Sequence, residues 1–428
     1  MSLRVCLFVS LFAGFLAPAF GQAPSPNSAV RVTGPADRIV LPQTVAPSGE
    51  PKQRKVIGWP AGRMPTAPAG FRVTLFAEGF TLPRWLYVLP NGDVLVSEVG
   101  NGPDRAALRG AGKVYLLRDA DRDGKAEVKE VFVSGLDRPF GMTLIGNRFY
   151  VANTGALLMF PYQRGQTQLA GSGEKILDLI PDGVHWTRTL TAKPDGSKIY
   201  VSVGSETDWS EDAPDKLPPE RAAIWEVNPD GSGKRVFATG IRNAIGMGWA
   251  PGTSTLWATV NERNNLGDDL PPDYFTSIRD GGFYGWPFAY WGTHEDPRAK
   301  VKRPDVVSKS IRPDYAMGGH ASPLGLAFST GTSFPQQYRG GAFIAFHGSS
   351  NRSSFVGYNV SYIPFVSGRP SGDPQEFLTG FVSSADAGEV FGRPVGLAVG
   401  GDGSLLVVDD GTNRIWQVTY TGASASAR

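Results

Sequence analysis

The chain has 428 residues, and its 42 basic and 40 acidic side chains leave a formal net charge of +2. A charge balance this close to neutral gives no support for nucleic-acid binding. Length alone would allow two or three domains of roughly 150 residues each, but the internal repeat described below predicts one.

The first 23 residues predict an export signal that is removed from the mature protein. Arg4 precedes an apolar run over residues 5–20, and small residues up to Ala23 suit a signal peptidase. The run is too short for a good membrane span and no second one follows, so we expect a periplasmic or secreted protein without a membrane span. The only cysteine, Cys6, lies within this signal. The mature protein should therefore lack disulfides, thiolate metal sites and attached haem, and its electrons would leave through an external acceptor such as a cytochrome or quinone.

A repeat dominates the rest of the chain. Residues 24–70 are rich in Pro, Ala and Gly and predict an irregular lead-in. From residue 71 onward, an apolar stretch, a Gly-containing turn and a second strand recur. A period of about 40 to 50 residues is typical of four-stranded propeller blades. The sequence thus predicts an all-β, six-bladed β-propeller over residues 71–421, a flexible tail at 422–428, and insertions in the longer fourth and fifth units. The six copies begin at Arg84, Arg138, Arg188, Arg242, Ser322 and Arg393.

A ring of blades has to be closed by pairing its two ends, because an unpaired edge strand invites aggregation. The apolar segment at residues 71–76 precedes the first full unit, and the last unit ends in a strand at residues 414–420. We expect these two segments to pair and to complete the last blade.

The segment 119–130 has the ligand spacing of a calcium-binding loop. Asp119, Asp121 and Asp123 alternate, a glycine stands at the sixth position and Glu130 at the twelfth, as in the loop of an EF-hand. The flanking segments predict strands rather than helices. The segment is therefore either a structural calcium site within a blade hairpin or a polar turn, and we expect no catalytic part for it.

Residues near the starts of the third and fourth units are candidates for chemistry. His185 precedes the third unit, where the inner strands of a propeller begin around its central channel. Histidine is the usual side chain for removing a proton from a hydroxyl, although a lone histidine also serves in structure. Arg242 and Asn243 hold the equivalent place in the fourth unit, where they either bind a planar, oxygen-rich anion or brace neighbouring blades. We expect His185 and Arg242 to face one another across the mouth of the ring.

The loop after the fourth unit carries Glu262, Arg263 and Asn264, followed by two aspartates. Carboxylates and backbone carbonyls in such a glycine-bearing loop either bind a hard cation such as calcium or simply face water. The sequence GGFYGWP at residues 281–287 supplies aromatic rings either for one wall of a ligand pocket or for packing of an insert on the rim.

The order of these motifs resembles the glucose/sorbosone dehydrogenase family. The resemblance runs from about residue 71 to 420 and rests on HW, a PDG turn and YVSVGS, then GIRNAIGM, GGFYGWP and GRPVGLAV. It implies a six-bladed propeller that holds pyrroloquinoline quinone (PQQ) and calcium over the channel mouth and oxidises a sugar or a sugar-derived aldehyde. The segment GVHW around His185 is closer to the sorbosone type than to the Arg-Asn-His motif of sugar-oxidising members.

The resemblance also implies roles for the candidate residues. His185 would take the substrate hydroxyl proton while hydride passes from the same carbon to the quinone, and Arg242 would stabilise the developing quinone oxyanion. Arg352 and Arg393 would pair with cofactor carboxylates. The residues implied to bind the cofactor are Arg242, Asn243, Arg352 and Arg393, and those implied to offer oxygens to its calcium, mostly through backbone carbonyls, are Glu262, Arg263 and Asn264.

Two other classes of function stay open. A metal-dependent, lactonase-like hydrolase also uses a six-bladed propeller, but it requires carboxylates and amides that converge on one channel cation. A non-catalytic binding propeller is the other alternative, since a fold alone determines no function. His185 together with Arg242 favours the dehydrogenase over the hydrolase, and the clustering of candidates at equivalent blade positions favours an enzyme over a binding protein.

Overall fold

The computed structural model describes residues 30–43, 50–102, 104, 106–181, 183–208, 220–349 and 351–422. The expected export signal and residues 423–428 of the expected tail lie outside these ranges. The described residues form mainly strands, together with two 3-10 turns (Ala36–Arg38 and Gln336–Tyr338) and one four-residue α-helix, α1 (Pro304–Val307). The predicted all-β class is confirmed. Within these ranges, no helix is long and apolar enough to cross a membrane.

The lead-in is irregular apart from two short strands, and a longer strand follows it. These are β1 (Thr33–Pro35), β2 (Lys55–Val56) and β3 (Phe71–Glu78). None of the three hydrogen bonds to another of them. Each pairs with a later part of the chain, as described below.

Sheets 1 and 2 each contain four antiparallel strands in which every strand hydrogen bonds to the next one along the chain. Asn91 and Gly92 turn the chain between the first two strands of sheet 1, and the positive φ of 93° at Gly92 is one that glycine adopts without a steric penalty. Sheet 1 contains β4 (Pro83–Val88), β5 (Val94–Glu98), β6 (Gly112–Arg118) and β7 (Val128–Leu136), and sheet 2 contains β8 (Met142–Ile145), β9 (Arg148–Ala152), β10 (Ala156–Pro161) and β11 (Glu174–Asp178).

Sheets 3 and 4 follow the same plan with additions from elsewhere in the chain. Sheet 3 contains β12 (Leu190–Ala192), β13 (Ile199–Val203), β14 (Ala223–Val227) and β15 (Arg235–Thr239), and sheet 4 begins with β16 (Ala244–Trp249), β17 (Leu256–Val260) and β18 (Pro272–Ile278). An insert, as the long fourth repeat predicted, then contains β19 (Gly282–Phe283), β20 (Ala289–Tyr290), β21 (His294–Glu295) and α1. The last strand of sheet 4 is β22 (Tyr315–Gly319). β19 adds to sheet 3 and β1 adds to sheet 4.

Sheets 5 and 6 complete the repeat region. Sheet 5 contains β23 (Pro323–Phe328), β24 (Ala342–Phe346), β25 (Asn359–Ile363) and, after the small hairpin of β26 (Phe365–Val366) and β27 (Arg369–Pro370), β28 (Gln375–Leu378). A second hairpin consists of β29 (Val382–Ser384) and β30 (Glu389–Val390). β2 pairs in parallel with β30. Sheet 6 contains β31 (Pro394–Val399), β32 (Leu405–Asp409), β33 (Arg414–Tyr420) and, as its outer strand, β3.

The first strands of the six sheets contact one another in order. β4 contacts β8, β8 contacts β12, β12 contacts β16, β16 contacts β23, β23 contacts β31, and β31 contacts β4 again. The outer edge of sheet 6 is formed by β3, which pairs antiparallel with β33 from Phe71 opposite Tyr420 to Glu78 opposite Arg414. The predicted pairing of these two segments is therefore confirmed.

Both faces of the sheets are covered by neighbouring sheets. Every residue of β5, β13, β14, β17, β24 and β32 is buried, which explains why these strands are mainly apolar rather than alternating. Hydrophobic clusters join adjacent sheets, for example Leu95 and Leu116 of sheet 1 with Phe149 and Val151 of sheet 2. Burial of this apolar surface is the main contribution to the stability of the fold.

Glycines in the first strands allow these strands to approach closely. A Cβ at Gly325 in β23 would lie 2.4 Å from the Val395 carbonyl oxygen, and one at Gly396 in β31 would lie 2.5 Å from the Arg84 carbonyl oxygen. Both distances are far below carbon-oxygen contact, so a larger residue would force the backbones apart. The glycine of the repeated motif is thus explained by packing of first strand on first strand. The equivalent glycines of two other units are Gly141 and Gly246.

Candidate active site

His185 lies in the segment that leads into β12, and its ring is held by Ser205, which follows β13. The Nδ1 atom lies 3.0 Å from the Ser205 carbonyl oxygen and 2.9 Å from the Ser205 hydroxyl. A carbonyl oxygen only accepts, so Nδ1 carries the proton and the lone pair is on Nε2. Burial, and after it the charge of Arg242, lower the pKa of the His185 ring to about 3. The ring is therefore neutral at physiological pH.

Arg242 lies beside His185 rather than opposite it. The Ser205 amide donates to the Arg242 carbonyl oxygen over 2.7 Å, so one residue links the two candidates on neighbouring sheets. The expectation that they face one another across the ring mouth is corrected accordingly. The reason is local: His185 leads into the third repeat unit and Arg242 opens the fourth, and the first strands of these units, β12 and β16, are adjacent.

The guanidinium of Arg242 binds oxygen atoms on several sides. Its Nε donates to the Asp208 carbonyl oxygen over 2.8 Å, its Nη1 donates to the Asn261 carbonyl oxygen over 3.1 Å, and its Nη2 pairs with the Asp208 carboxylate. The amide of Asn264 donates to both oxygens of the same carboxylate, over 2.6 and 2.8 Å. Burial lowers the pKa of Arg242. Arg242 and Asn264 thus form a donor set that binds a carboxylate, the chemistry that an anionic, oxygen-rich cofactor requires.

Asn243 lies against His185 with an unsatisfied acceptor. Only 8% of Asn243 is exposed, and its Oδ1 has no hydrogen-bond partner among the described residues. A Cβ at Gly204 would lie 2.6 Å from this oxygen and 2.6 Å from the His185 Cβ, so Gly204 makes room for both side chains. A buried acceptor without a donor costs about 1 to 3 kcal/mol, which a bound ligand carrying a donor would recover. The position predicted for cofactor binding therefore has unused hydrogen-bonding capacity.

The side chain of Arg263 has a structural task. It is fully buried and donates to Glu262 Oε2 over 3.0 Å, to Asp296 Oδ2 over 3.1 Å and to the carbonyl oxygen of Pro287 over 2.9 Å. These contacts fix the insert of sheet 4 to the loop after β17. Only the backbone carbonyl oxygen of Arg263 therefore remains for the predicted binding of calcium.

The other two residues predicted to face calcium differ from each other. Glu262 is buried, and its Oε1 has no hydrogen-bond partner in the described part of the chain, so it fits a cation that prefers oxygen ligands. The carbonyl oxygen of Asn264 accepts from Arg298 over 2.7 Å, and its Oδ1 lies 3.1 Å from His320 Nδ1. Glu262 is therefore the better candidate ligand of the pair.

A second polar cluster, which sequence reasoning missed, lies where sheets 5, 6 and 1 meet. Asp410 follows β32; one carboxylate oxygen lies 2.8 Å from His347 Nε2 and the other pairs with Arg84. Burial alone would raise the pKa of the Asp410 carboxyl, but His347 and Arg84 lower it below its usual value. Arg393 donates from Nε to the His347 carbonyl oxygen over 3.1 Å. The predicted cofactor residue Arg393 thus belongs to a charged group whose other members come from three different repeat units.

Arg84 connects this cluster to His185. Its guanidinium carbon lies 6.0 Å from the ring centroid of Trp186, the residue after His185, and 5.9 Å from that of Phe140. Arg84 opens the first repeat unit, as Arg393 opens the last, and this equivalence is the sequence signal that could have identified it. The candidate residues from sheets 1, 3, 4 and 6 are therefore joined by contacts at the start of the first strands.

Arg352 is engaged elsewhere than predicted. Its Nη1 donates to the Asp268 and Gly319 carbonyl oxygens over 3.1 and 3.0 Å and to Asp269 Oδ1 over 3.1 Å. These bonds brace the loop after β17 against β22. Its Nε is buried without a partner among the described residues, so one donor is left for a ligand.

The aspartate-rich loop between β6 and β7 gathers four carboxylates. Oxygens of Asp119, Asp121, Asp123 and Glu127 lie within 4.8 Å of one another. Glu130 is not among them, because it lies on β7 opposite Leu116. The Asp119 Oδ1 atom is buried and has no hydrogen-bond partner in the described ranges.

This acidic loop packs against the paired strands β3 and β33. The Ala126 amide donates to the Phe76 carbonyl oxygen of β3 over 2.8 Å, and a Cβ at Gly124 would lie 2.7 Å from Gln417 Oε1 of β33. The loop therefore joins sheet 1 to sheet 6.

The chain matches one family model and resembles known sequences and structures over most of its length. The model of the TrAA12-like family matches residues 65–271 and 289–421. A pyrroloquinoline quinone-dependent sugar dehydrogenase of Hypocrea jecorina is 22% identical over 396 residues, which cover 82% of this chain and 88% of that protein. The calcium structure of a Trichoderma reesei carbohydrate-active enzyme of family AA12 has a TM-score of 0.71 at 20% identity and covers 86% of this chain and 98% of that one. The holo form of the pyranose dehydrogenase PQQ domain from Coprinopsis cinerea has a TM-score of 0.70 at 19% identity, covering 85% and 99%. The chain therefore belongs to the TrAA12-like family, and the family resemblance predicted from its sequence, to PQQ-dependent sugar dehydrogenases, is confirmed.

Proposed function

We propose that the protein is a PQQ-dependent oxidoreductase that acts on a hydroxyl or aldehyde group of a sugar or sugar derivative, of the sorbosone or aldose type. The observation that carries this proposal is the neutral His185, oriented by Ser205, next to the carboxylate-binding donors of Arg242 and Asn264. Family membership supports the reaction class. The choice of a sorbosone-type or aldose-type substrate is proposed separately from the reaction class.

The proposed architecture is a six-bladed β-propeller over residues 71–421, with the export signal of residues 1–23 removed and the protein periplasmic or secreted. The contacts of the six first strands in sequence, including β31 with β4, support the blade count and the closed ring. The start of the first strands would then surround the channel mouth, where propeller sites for small molecules are built.

In the proposed reaction His185 is the base. Its Nε2 lone pair accepts the proton of the substrate hydroxyl, while the Ser205 carbonyl keeps the opposite ring nitrogen protonated. PQQ, when bound, supplies an electron-accepting quinone that takes hydride from the same carbon. Negative charge placed beside Arg242 would cancel one cause of the low pKa of His185 and raise the basicity of Nε2. Arg242 would stabilise that charge.

The remaining residues would hold the cofactor and its calcium. Asn243 would use its free Oδ1, and Arg393 would pair with a carboxylate from the other side of the mouth. Arg352 would contribute its Nε alone. The calcium would take the free oxygen of Glu262, with backbone oxygens of Arg263 and Asn264 as further candidates. Electrons would then pass to an external acceptor such as a cytochrome or quinone.

A second, structural calcium is proposed at the acidic loop between β6 and β7. Asp119, Asp121 and Asp123 would bind it, as the sequence predicts, with Glu127 in the position that the spacing assigned to Glu130. The unpaired Asp119 Oδ1 supports this proposal, since an ionised oxygen buried without a partner is costly.

The position of the carboxylate cluster disfavours the lactonase-like alternative, which requires carboxylates that converge on one cation in the channel. Among the described residues, the cluster of four carboxylates lies between β6 and β7, not at the start of the first strands. A non-catalytic binding propeller would not need a base of fixed tautomer beside a guanidinium.

The decisive experiment is reconstitution. Purified apo-protein is incubated with PQQ and calcium, and reduction of an artificial dye is followed with aldoses, sorbosone and simple alcohols. Dye reduction that requires PQQ and substrate is expected. Failure of the quinone to bind, or no reduction with any substrate, would favour the binding protein, and lactone hydrolysis with metal alone would favour the hydrolase.

A further inference from the structure

The N-terminal strap, defined as residues 52–59, is fixed to the outside of the site. The Lys52 amide donates to the Arg352 carbonyl oxygen over 2.9 Å, the Lys55 amide donates to Gly388 over 2.8 Å, and the Ile57 amide donates to Val390 over 2.9 Å. Sequence composition predicted an irregular segment here. The strap follows a defined path over the hairpin of β29 and β30.

Trp59 anchors the end of the strap. It is 8% exposed, and its Nε1 donates to Asp409 Oδ2 over 2.7 Å. Its ring stacks on Phe391 at 5.3 Å and meets Trp416 edge-on at 5.4 Å. Burial of an indole with these contacts holds the preceding residues in place.

The anchored strap forms one wall of an open cleft of about 390 Å³. The opposite wall comes from the start of sheet 6 and the segment before sheet 1. This cleft includes Arg393, already assigned to cofactor binding, and Asp410 of the second polar cluster. The lining residues are Gln53, Arg54, Val56, Leu82, Arg393, Asp410 and Gly411.

The charges in this cleft do not balance. Both oxygens of Asp410 are engaged, one with His347 and one with Arg84. Arg393 uses its Nε for the His347 carbonyl. Arg54 is exposed and has no hydrogen-bond or ion-pair partner in the described part of the chain. Burial lowers the pKa of Arg393 to about 10, and the positive charge of Arg54 acts in the same direction. Two guanidinium groups therefore share a cleft whose carboxylate is already paired, which favours an anionic ligand.

We propose that Arg54, supplied by the N-terminal strap, is a further cofactor-binding residue that pairs with a carboxylate of PQQ opposite Arg393. The inference rests on the proposed function, because PQQ is the polycarboxylate that the site is proposed to hold. Guanidinium groups bind carboxylates through paired hydrogen bonds, and the strap holds Arg54 where such a group would enter. Part of the lead-in would then belong to the binding site.

The test measures binding without turnover. Apo-protein is titrated with PQQ at fixed calcium, and quenching of tryptophan fluorescence gives the Kd for the wild type, Arg54→Gln, Arg54→Lys and Arg72→Gln. Arg72 is an exposed arginine of β3 outside the cleft and serves as the matched control. Loss of a charged hydrogen bond should raise the Kd about tenfold to a hundredfold for Arg54→Gln, with a smaller increase for Arg54→Lys and no change for Arg72→Gln.

The salt dependence gives a second readout. The Kd of the wild type should rise more steeply with ionic strength than that of Arg54→Gln, since one charge pair is removed. If Arg54→Gln binds PQQ within twofold of the wild type, the inference is wrong and the proposed function survives. If the wild type itself does not bind PQQ, both fail. Melting curves of the apo-proteins check that each variant is folded.

Discussion

The Nδ1 atom of His185 lies 3.0 Å from the carbonyl oxygen of Ser205. This single contact determines which nitrogen of the ring is free to act as a base, because a backbone carbonyl can only accept a hydrogen bond. Burial, and after it the charge of Arg242, keeps the ring neutral by lowering its pKa. The Ser205 backbone therefore sets the orientation of the proposed base, and burial and a neighbouring charge set its protonation state.

The pKa of about 3 predicts that His185 of the apo-protein stays neutral as the pH falls from 8 to about 4.5. The folded value lies below the ordinary value of 6.5, so the base form is complete above about pH 4 and is lost only as the pH falls through about 3. Proton NMR titration of the four histidines, with His185→Ala to assign the signal, measures this. A His185 signal that titrates near pH 6.5 in the folded apo-protein would contradict the burial and charge described here.

His185→Ala should bind PQQ nearly as well as the wild type but lose turnover by about 10²- to 10⁴-fold, the usual contribution of general base catalysis. Ser205→Ala is the control, because it removes the hydroxyl and leaves the carbonyl that orients the ring. It should lose less than about tenfold. Steady-state dye reduction and PQQ titration are compared for the three proteins, and wild-type turnover by His185→Ala would remove this residue from the mechanism.

Arg242→Lys keeps a positive charge but loses the planar donors that engage Asp208 and Asn261. Turnover should fall about 10²- to 10³-fold if the guanidinium stabilises charge that develops during the reaction. Measurement of kcat and KM separately distinguishes this from weaker substrate binding, which would raise KM alone. An effect confined to KM would assign Arg242 to substrate binding.

Calcium should stabilise the protein through the acidic loop between β6 and β7. Glu127→Gln is expected to reduce the rise in melting temperature caused by calcium, whereas Glu130→Gln should not, because Glu130 lies outside the carboxylate cluster. At about a hundred times the Kd, bound calcium contributes about 2.7 kcal/mol. Thermal unfolding with calcium or with a chelator, without PQQ, gives the comparison. The opposite order of the two variants would restore Glu130 as the ligand that the spacing predicted.

Gly325→Ala should destabilise the protein by about 1 to 3 kcal/mol or more, since its Cβ would meet the Val395 carbonyl at 2.4 Å. Gly331→Ala is the matched control, because the nearest atom to its Cβ would be 3.9 Å away. Chemical denaturation of both variants tests whether close packing of first strands is required. Equal stability of the two would show that β23 and β31 can separate without cost.

Sequence patterns predicted the parts of the fold that the repeat defines. The glycine turns, the apolar strands and the pairing of residues 71–76 with the last strand follow from periodicity and from the need to close a repeat. The group formed by Arg84, His347 and Asp410 could not be found in this way, because its members come from three units and meet only through contacts between sheets. The repeat marks Arg84 by its place at the start of the first unit, but it gives no signal that Arg84 and His347 both pair with Asp410.

Two further differences have the same physical origin. Spacing placed Glu130 at the twelfth position of a calcium loop, but an EF-hand reaches that position on a helix, whereas here a strand begins at Val128 and carries Glu130 away from the aspartates. The strap was unpredictable because β2 pairs with β30, more than three hundred residues later. Its composition predicts no strand, and its order comes from the surface on which it lies.

The pairing of β3 with β33 has a consequence for biosynthesis. The segment that fills the outer edge of sheet 6 is synthesised more than three hundred residues before its partner strand, Arg414–Tyr420. Until that strand has been made, β3 has no partner and sheet 6 cannot be completed. A stop codon that removes Arg414–Tyr420 would leave β3 permanently unpaired, and we expect such a product to be degraded.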